Sequence, residues 1–440
     1  MNPIQTTYGK LTGIDHGSYL EYRGVPYAQP PIGELRWKAP QPPKPWEGVR
    51  HADTYPPCCM QPPQQDSLYR KEFYENPDFN RIPSEDCLYL NIWTPKEPGE
   101  HPFPVAFWIH GGAFLHGYAT ELEFDGAEYA KRGVILVSVE YRCNLFGFLA
   151  HPWLSQENER GISGNYGILD QIAALDWVAE NIAAFGGDPK NITVFGQSAG
   201  AMSTQTLLTS KLAKGNIAKA ILQSGGAYQG GLSRDMPLRT QESYGEIFAE
   251  LAGASSLSEL RALPAERILE LMGPFFEKVF PLSKGLFLVP VQDGYVLDCG
   301  YDEAIAQGML PDIPLMLGTT KDDLMVTKEM QEKNEFSALY KGCIAWAGQR
   351  QHQGSSPTWV YYFTRDLPGD DSGAFHSSEL WYMFGTLGRC WRPMEERDYR
   401  LSSEMLDYWT NFMKYGNPNG DGLETWEPCD ADSAGIKEFC

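Results

Sequence analysis

Apolar residues in the middle of the chain follow two patterns that alternate along the sequence. The runs Val105–His110 (VAFWIH) and Val134–Tyr141 (VILVSVEY) are short and apolar, which predicts buried strands. Gly167–Phe185 instead places its apolar residues on one helical stripe and predicts an amphipathic helix. A further helix is predicted from about residue 199 to residue 210. Other apolar runs that predict strands are Asn191–Phe195, Ile217–Gln223, Ile313–Gly318 and Thr358–Thr364.

This alternation predicts an α/β fold with a mostly parallel sheet that helices cover on both faces. Ligands of such sheets bind beyond the carboxyl ends of the strands. No domain boundary is apparent, so we expect a single domain over residues 1–440. The Pro-rich residues 28–64 predict an extended surface wrap, with Trp37, Trp46 and Tyr55 as its anchors.

Composition narrows the function classes. Lys and Arg number 36 against 57 Asp and Glu, so the net charge of −21 argues against nucleic-acid and anionic membrane partners. The first residues (MNPIQTTYGKLTGI) lack the features of a secretory signal, and no apolar run is long enough to span a membrane. We therefore expect a cytoplasmic protein with mostly reduced cysteines. No cofactor fingerprint or metal-ligand spacing is present, so neither group is expected.

A candidate nucleophile lies in Gly196-Gln197-Ser198-Ala199-Gly200. This G-x-S-x-G motif alone is a weak signal, but here a predicted strand precedes it and a predicted helix follows it. That context is typical of a nucleophile elbow, in which the serine is exposed at a strand end. Small residues are needed at both glycine positions because neighbouring backbone comes close. The alternative is an ordinary Gly-rich turn with a capping serine.

A candidate oxyanion hole follows the strand at Val105–His110. The sequence His110-Gly111-Gly112-Ala113-Phe114 resembles the loop that supplies backbone N–H groups to the tetrahedral oxyanion in serine hydrolases of this type. We expect the N–H groups of Gly112, Ala113 and Ala199 to be the donors. The alternative is a turn that merely ends the strand.

The base and the acid follow from chain order, which in this fold runs serine, acid, histidine. Only His352 and His376 of the eight histidines come after Ser198. His352 lies in a polar stretch (GQRQHQGSS) that predicts a solvated loop, whereas His376 lies between a predicted strand and an apolar helix. His376 is therefore the candidate base. The acid is Asp322 or Asp323, in IPLMLGTTKDDL, and position alone does not separate the two.

Several segments together resemble the type-B carboxylesterase family, which includes the cholinesterases and bacterial para-nitrobenzyl esterases. FGGDPKNITVFGQSAG (Phe185–Gly200) resembles the active-site signature of the family, and EDCLYLNIW (Glu85–Trp93) resembles its second signature. YRGVPYAQPPIGELRW, GNYGILDQIAALDWV, AILQSGGAY and VPVQDGYVL are similar to further family segments. The resemblance covers essentially the whole chain and implies the α/β-hydrolase fold.

The resemblance also implies roles for individual residues. It gives Ser198 as nucleophile and His376 as base, and its G-x-x-K/R-D-E pattern places the acid at Asp323. Its oxyanion donors fall on Gly112, Ala113 and Ala199. Family members often bridge two cysteines that correspond here to Cys59 and Cys87, a pair that we expect to be reduced.

Four departures from the family pattern affect the expected site. The acid is Asp323 where Glu is usual, Gln197 replaces a usual Glu, and Leu324 replaces a usual Gly. The loss of a carboxylate at residue 197 weakens the case for choline esters. The segment between acid and histidine, about residues 324–375, is shorter than in the family, so we expect a more open active site.

The sequence therefore predicts a serine carboxylic-ester hydrolase that acts through an acyl-enzyme on small to medium esters, short-chain or aryl. Its partner is the small-molecule ester, and the sequence leaves open whether it is a monomer or a homo-oligomer. The alternatives are a lipase, thioesterase or amidase with the same triad, or an inactive adhesion or scaffolding protein of the same fold. Candidate pocket residues, chosen because they adjoin the catalytic loops in sequence, are Phe114, Leu115, Gln197, Trp381 and Phe384.

Overall fold

A computed structural model describes residues 2–64, 67–283, 285–333, 335–432 and 434–440. The strands in these residues are β1 (Ile4–Gln5), β2 (Lys10–Thr12), β3 (Ile14–Asp15), β4 (Tyr19–Pro26), β5 (Val49–His51), β6 (Cys58–Cys59), β7 (Pro83–Ser84), β8 (Tyr89–Pro95), β9 (Phe103–Ile109), β10 (Ile135–Val139), β11 (Gly187–Gln197), β12 (Lys219–Gln223), β13 (Leu315–Thr320), β14 (Thr358–Phe363) and β15 (Ile436–Phe439).

The α-helices are α1 (Ala127–Lys131), α2 (Asn144–Phe148), α3 (Pro152–Glu157), α4 (Tyr166–Asn181), α5 (Ala199–Thr209), α6 (Leu238–Ala252), α7 (Leu257–Arg261), α8 (Ala265–Ser283), α9 (Tyr301–Ala306), α10 (Lys328–Glu332), α11 (Ala338–His352), α12 (Leu380–Met383) and α13 (Glu396–Tyr415). Short 3₁₀ segments are Gly33–Leu35, Pro77–Phe79, Ile182–Phe185, Lys214–Asn216 and Leu387–Arg389, and Arg70–Tyr74 forms a single π-helical turn.

Ten of the strands form one large sheet in the order β15-β14-β13-β12-β11-β9-β10-β8-β4-β3. Every neighbouring pair from β15 to β10 is parallel. The pairs that add β8, β4 and β3 at the other end are antiparallel. The sheet is thus mostly parallel, as the alternation of strands and helices predicts.

Side chains that alternate along the central strands contribute to two separate hydrophobic clusters. Val105, Phe107 and Ile109 of β9 pack in the cluster that includes the apolar stripe of α4. Ala106 and Trp108 point to the other face and pack in the cluster that includes α12 and α13. Both faces of the sheet are therefore buried, which explains why its strands read as continuous apolar runs.

The predicted elements are present with small shifts at their ends. The strand predicted at Asn191–Phe195 extends at both ends and becomes β11. The helix predicted over Gly167–Phe185 ends as an α-helix at Asn181 and finishes in a 3₁₀ turn. These elements set the position of the strand-to-helix turn that contains Ser198.

His352 corrects one sequence-based expectation. It is exposed, as expected, but it is the last residue of α11 and not part of a loop. Cys343 and Trp346 bury one side of this helix against the core, while its last turn is polar and faces solvent. The polar run around His352 therefore marks the end of a helix.

The Pro-rich residues 28–64 are tied down by the three aromatic residues expected to anchor them. Trp37 is buried and donates its Nε1–H to the Leu145 carbonyl at 2.8 Å. Trp46 donates to the Lys10 carbonyl at 3.0 Å, and the Tyr55 hydroxyl donates to Glu21 at 2.7 Å.

Two further features bear on the sequence-based expectations. In the part of the chain that the structure describes, no helix is both long and apolar enough to cross a membrane. Cys59 and Cys87, the pair that the family resemblance suggests, are both buried free thiols. The Sγ atom of Cys59 accepts a hydrogen bond from the backbone N–H of Cys143 at 3.1 Å.

Candidate active site

Ser198 occupies the turn between β11, which ends at Gln197, and α5, which begins at Ala199. Its backbone has φ 55° and ψ −122°, a conformation that L-residues rarely adopt. The backbone N–H of Ser198 donates to the Gln223 carbonyl of β12 at 2.8 Å, which anchors the turn to the next strand. The turn thus places Ser198 at the carboxyl end of a central strand, at the start of a helix.

The two glycines of the motif are required by close approach of the backbone. A Cβ atom on Gly196 would lie 2.4 Å from the carbonyl carbon of Gly200. A Cβ atom on Gly200 would lie 2.0 Å from the Ile109 carbonyl oxygen of β9. Both distances are far below van der Waals contact, so a larger residue at either position would displace the serine.

The loop after β9 turns back toward Ser198 through residues with positive φ. Gly112 has φ 99° and Ala113 has φ 56°. A Cβ atom on Gly112 would lie 2.0 Å from the His116 carbonyl oxygen, so only glycine fits there. Gly112 and Ala113 line the same cavity as Ser198, and their N–H groups have no hydrogen-bond acceptor among the described residues. Ala199 opens α5, so its N–H has no acceptor within the helix.

His376 and Asp323 come together from two loops at the carboxyl edge of the sheet. Asp323 follows β13, and His376 lies between β14 and α12. The Nδ1 atom of His376 is 2.6 Å from Oδ1 of Asp323, and both side chains are buried. A carboxylate in this position fixes which ring nitrogen carries the proton and stabilises the imidazolium.

The other contacts of Asp323 hold it as a carboxylate. Its Oδ2 atom accepts from the Ser224 hydroxyl at 2.6 Å and from the Thr320 N–H at 3.1 Å, and its Oδ1 accepts from the Leu324 N–H at 2.7 Å. Burial acts to raise the pKa of Asp323. The charge of His376 and the hydrogen bonds from His376, Ser224 and Thr320 outweigh burial and lower that pKa.

Asp322 has different partners. Its Oδ2 accepts from the Ala374 N–H at 2.9 Å, and its Oδ1 accepts from the Gln331 amide at 2.5 Å. Its own N–H donates to the Ala374 carbonyl at 3.0 Å. Asp322 therefore pins the loop that contains His376, while Asp323 contacts the imidazole itself.

Gln197 contacts the imidazole from the other side. Its Nε2 atom lies 3.1 Å from Nε2 of His376. Gln197 is buried, and it lines the cavity together with Ser198 and His376. In this state the amide of Gln197 donates to the ring nitrogen that a catalytic base needs for the serine proton.

A second buried acid, Glu379, lies close to the histidine and was not anticipated from the sequence. One carboxyl oxygen accepts from the Gln223 amide at 3.3 Å, and the other has no partner among the described residues. Burial and, second, the negative charge of Asp323 raise the pKa of Glu379 to about 7. Glu379 follows His376 by three residues, but that spacing alone does not indicate from the sequence that the two side chains are close.

Ser198, His376 and Gln197 line a cavity of about 240 Å³. The side chains of Phe114, Trp381 and Phe384 are completely buried in the two core clusters instead. Leu115 packs against the same core. None of these four belongs to the described lining of the cavity, which corrects the expectation that they form its walls. Adjacency to a catalytic loop does not fix the direction of a side chain, and these point into the core.

The walls come mainly from residues that the sequence analysis did not single out. Tyr69, Phe73 and Phe124 supply aromatic surface, and Glu121 and Glu123 add two carboxyl groups. Tyr69 and Phe73 lie in a segment that is distant in sequence from the motifs. Glu121, Glu123 and Phe124 lie in the loop after β9, in a part of it that has no recognisable motif. Among the described residues, no group of three or more His, Cys, Asp or Glu could hold a metal ion.

Comparison with known proteins shows the family of this chain. The model of the carboxylesterase family matches residues 2–341 and 338–438. The chain belongs to the carboxylesterase family. It is a serine hydrolase of carboxylic esters with the α/β-hydrolase fold, which confirms the fold and the activity that the resemblance implied.

Individual relatives cover nearly the whole chain. A para-nitrobenzyl esterase of Bacillus subtilis (strain 168) is 35% identical over 471 aligned residues, which cover 96% of this chain and 91% of that protein. A fumonisin B1 esterase of Sphingopyxis macrogoltabida is 33% identical, with 96% and 83% covered. Among solved structures, a thermophilic para-nitrobenzyl esterase superposes with a TM-score of 0.86 at 32% identity, with 100% of this chain and 96% of that chain covered.

Proposed function

We propose that Ser198, His376 and Asp323 form the catalytic triad of this carboxylesterase and that its substrates are small to medium esters, short-chain or aryl. The observation that carries the proposal is the 2.6 Å contact between Asp323 and His376, because His376 lines the same cavity as Ser198. The N–H groups of Gly112, Ala113 and Ala199 are the proposed oxyanion donors.

In the acylation step, Nε2 of His376 takes the proton of Ser198 as its Oγ attacks the ester carbonyl. For this step the 3.1 Å hydrogen bond between Nε2 of His376 and the amide of Gln197 must break, so that Nε2 can accept a hydrogen bond from the hydroxyl of Ser198. Catalytic hydrogen bonds are often formed only when substrate is bound. Asp323 keeps the proton of His376 on Nδ1, and the oxyanion binds the N–H groups of the loop after β9.

The imidazolium of His376 then protonates the departing alcohol, which leaves an acyl group on Ser198. Water enters, gives its proton to His376 and attacks the acyl carbonyl, and the same N–H donors bind the second oxyanion. As this intermediate collapses, the imidazolium of His376 returns its proton to the Oγ of Ser198, which releases the acid and restores both residues. The triad and the backbone donors suffice for these steps.

The size of the cavity supports small substrates. Its volume of about 240 Å³ is below that of most small-molecule sites, which measure about 300–1,000 Å³. Leu324 and Met325, which follow the proposed acid, are 40% and 69% exposed, which supports an open wall at this edge. The alignment with the Bacillus subtilis esterase spans 471 positions against 440 residues here, so segments of that relative are missing from this chain. We include in this proposal that the segment at about residues 324–375 is shorter than in the family. The single domain and the cytoplasmic location remain predictions.

A chain-length series of para-nitrophenyl esters, from acetate to palmitate, tests the proposal. Wild type should turn over the short esters fastest, and Ser198→Ala should lower kcat by about 10⁴–10⁶ without loss of the fold. The matched control is Ser203→Ala, at a buried serine of α5 that accepts a hydrogen bond from the Gln171 amide and does not line the cavity. It should keep kcat within a few-fold.

Two results would contradict the proposal. Retention of a tenth of the activity in Ser198→Ala would show that another residue is the nucleophile. Faster turnover of emulsified long-chain esters than of short soluble ones would indicate a lipase and not an esterase for small substrates.

A further inference from the structure

A second cavity, of about 880 Å³, lies at the carboxyl ends of β13 and β14, under the segment that contains α10 and α11. Ligands of parallel sheets bind at this edge, and the volume lies within the range of about 300–1,000 Å³ that is usual for small-molecule sites. No residue in its described lining also lines the cavity of Ser198. The second cavity therefore offers space for a ligand of its own.

Three aromatic side chains in mutual contact form one wall of the second cavity. The rings of Phe336 and Tyr340 are stacked with their centroids 4.5 Å apart, and the centroids of Tyr340 and Tyr362 are 4.6 Å apart. Phe336 is nevertheless 45% exposed, so much of its ring is open to a ligand. Such a wall favours a ligand with an aromatic ring, which gains from stacked or edge-to-face contact.

The hydroxyl group of Tyr340 lacks a partner at this wall. Tyr340 is only 7% exposed, yet its hydroxyl has no hydrogen-bond partner among the described residues. Buried tyrosine hydroxyl groups normally find one. Tyr361 also has an unpartnered hydroxyl, but that oxygen is shut off from solvent on the opposite face of β14, whereas the small exposed surface of Tyr340 lies in the cavity that it lines. A ligand with a hydrogen-bonding group would complete Tyr340.

The charges around the second cavity favour a cation. Three carboxyl groups line it, those of Asp322, Glu335 and Glu438. Lys321 is the one cation in the described lining, and it is paired with Asp366. Glu438 accepts from the Thr364 hydroxyl at 2.8 Å, and neither Glu438 nor Glu335 belongs to an ion pair among the described residues. A positively charged ligand would balance these two carboxylates.

We propose that the second cavity is a ligand site for a small organic cation that carries an aromatic ring and an N–H donor. The ring stacks on Phe336, the N–H group donates to the hydroxyl of Tyr340, and Glu335 and Glu438 balance the charge. Carboxylates alone would attract any cation, and the aromatic wall and the hydroxyl make the site selective. The site is separate from the cavity of Ser198, so the proposal does not depend on the proposed triad.

Calorimetric titration of the wild-type protein with three probes tests the proposal. The probes are 2-phenylethylammonium, 2-phenylethanol, which has the same ring without the charge, and n-butylammonium, which has the charge without the ring. At pH 7, where both amines are protonated, we expect 2-phenylethylammonium to bind about fivefold more tightly than either of the others, because only this probe gains from both ring and charge.

Variants then assign the binding to the second cavity. Phe336→Leu should reduce the affinity for 2-phenylethylammonium to that for n-butylammonium, and the double variant Glu335→Gln, Glu438→Gln should reduce it to that for 2-phenylethanol. All three residues are exposed, so these variants should fold. Tyr340→Phe should weaken binding about threefold. Its matched control is Tyr361→Phe, which removes the other unpartnered hydroxyl and should leave the affinity unchanged.

The kinetics of para-nitrophenyl acetate hydrolysis distinguish the two cavities. An amine in the second cavity does not compete with the ester, so competitive inhibition by 2-phenylethylammonium at its calorimetric Kd would place it in the cavity of Ser198 and overturn the proposal. The absence of binding at millimolar concentration, equal binding of the amine and the alcohol, or an affinity that the Phe336 and glutamate variants leave unchanged would also overturn it.

Discussion

Asp323 and Glu379 flank the same histidine and are almost equally inaccessible, with 3% and 0% exposure, yet they differ in ionisation. Asp323 accepts hydrogen bonds on both oxygens, and its pKa is lowered despite burial. Glu379 has one weak partner and one unpartnered oxygen among the described residues, and its pKa rises to about 7. Burial alone therefore does not decide the charge of an acid. The number of donors and the sign of the neighbouring charge decide it.

The contrast assigns different chemistry to the two acids. The lowered pKa of Asp323 favours its carboxylate, which can hold His376 in one tautomer and stabilise its charged form. Ionisation of Glu379 would place a second negative charge close to that of Asp323. The pKa of Glu379 is therefore raised to about 7, so Glu379 changes its protonation state near neutral pH. Burial likewise raises the pKa of Glu121 and of Glu123, and the negative charge of Glu121 raises that of Glu123 further.

Among the variants that test the contrast between the two acids, the largest loss of kcat is expected when Asp323 loses its charge. Asp323→Asn should lower kcat by about 10⁴, because an amide at this position no longer fixes the tautomer of His376. Asp322→Asn should cost less than about tenfold, because Asp322 holds the loop and does not contact the imidazole. Kinetics of both variants on para-nitrophenyl acetate measure the difference. Equal losses would show that the two aspartates act together and would remove the distinction between them.

A smaller effect is expected for Glu379. Its folded pKa of about 7 exceeds its ordinary value of 4.5, so ionisation opposes folding. The free energy of unfolding of wild type should fall as pH rises from about 5 to 8, whereas Glu379→Gln lacks this contribution. The variant should therefore gain about 2 kcal/mol relative to wild type over this range.

Urea unfolding of both proteins at pH 5 and pH 8 measures that gain. Glu47→Gln, which changes an exposed carboxyl group, is the control and should show a constant difference from wild type. A constant difference for Glu379→Gln as well would mean that Glu379 is ionised at both pH values, and the contrast with Asp323 would fail.

The sequence predicted those parts of the site that depend on short-range backbone geometry. The strand–turn–helix pattern around Ser198 and the glycines at 196 and 200 are local, so the turn could be read directly. His376 could be found by chain order. Most strands of the sheet followed from apolar runs, because both faces of the sheet are buried.

What remained open depends on contacts between distant segments. Asp322 bonds to Ala374 whereas Asp323 bonds to His376, and the adjacent pair of aspartates in the sequence does not indicate which of them contacts the histidine. The wall residues were missed for the same reason. Phe114 looked like a wall residue because it adjoins the oxyanion loop, but its side chain turns into the core.

Covalent labelling with a fluorophosphonate tests the central claim most directly, since this reagent reacts far faster with a serine that a base activates than with an ordinary one. The account predicts one adduct per chain, on the peptide that contains Ser198, with loss of esterase activity in proportion. Labelling should be abolished in His376→Ala and persist in His352→Ala. An adduct on a different residue, or labelling of Ser198 that does not depend on His376, would contradict the proposed triad.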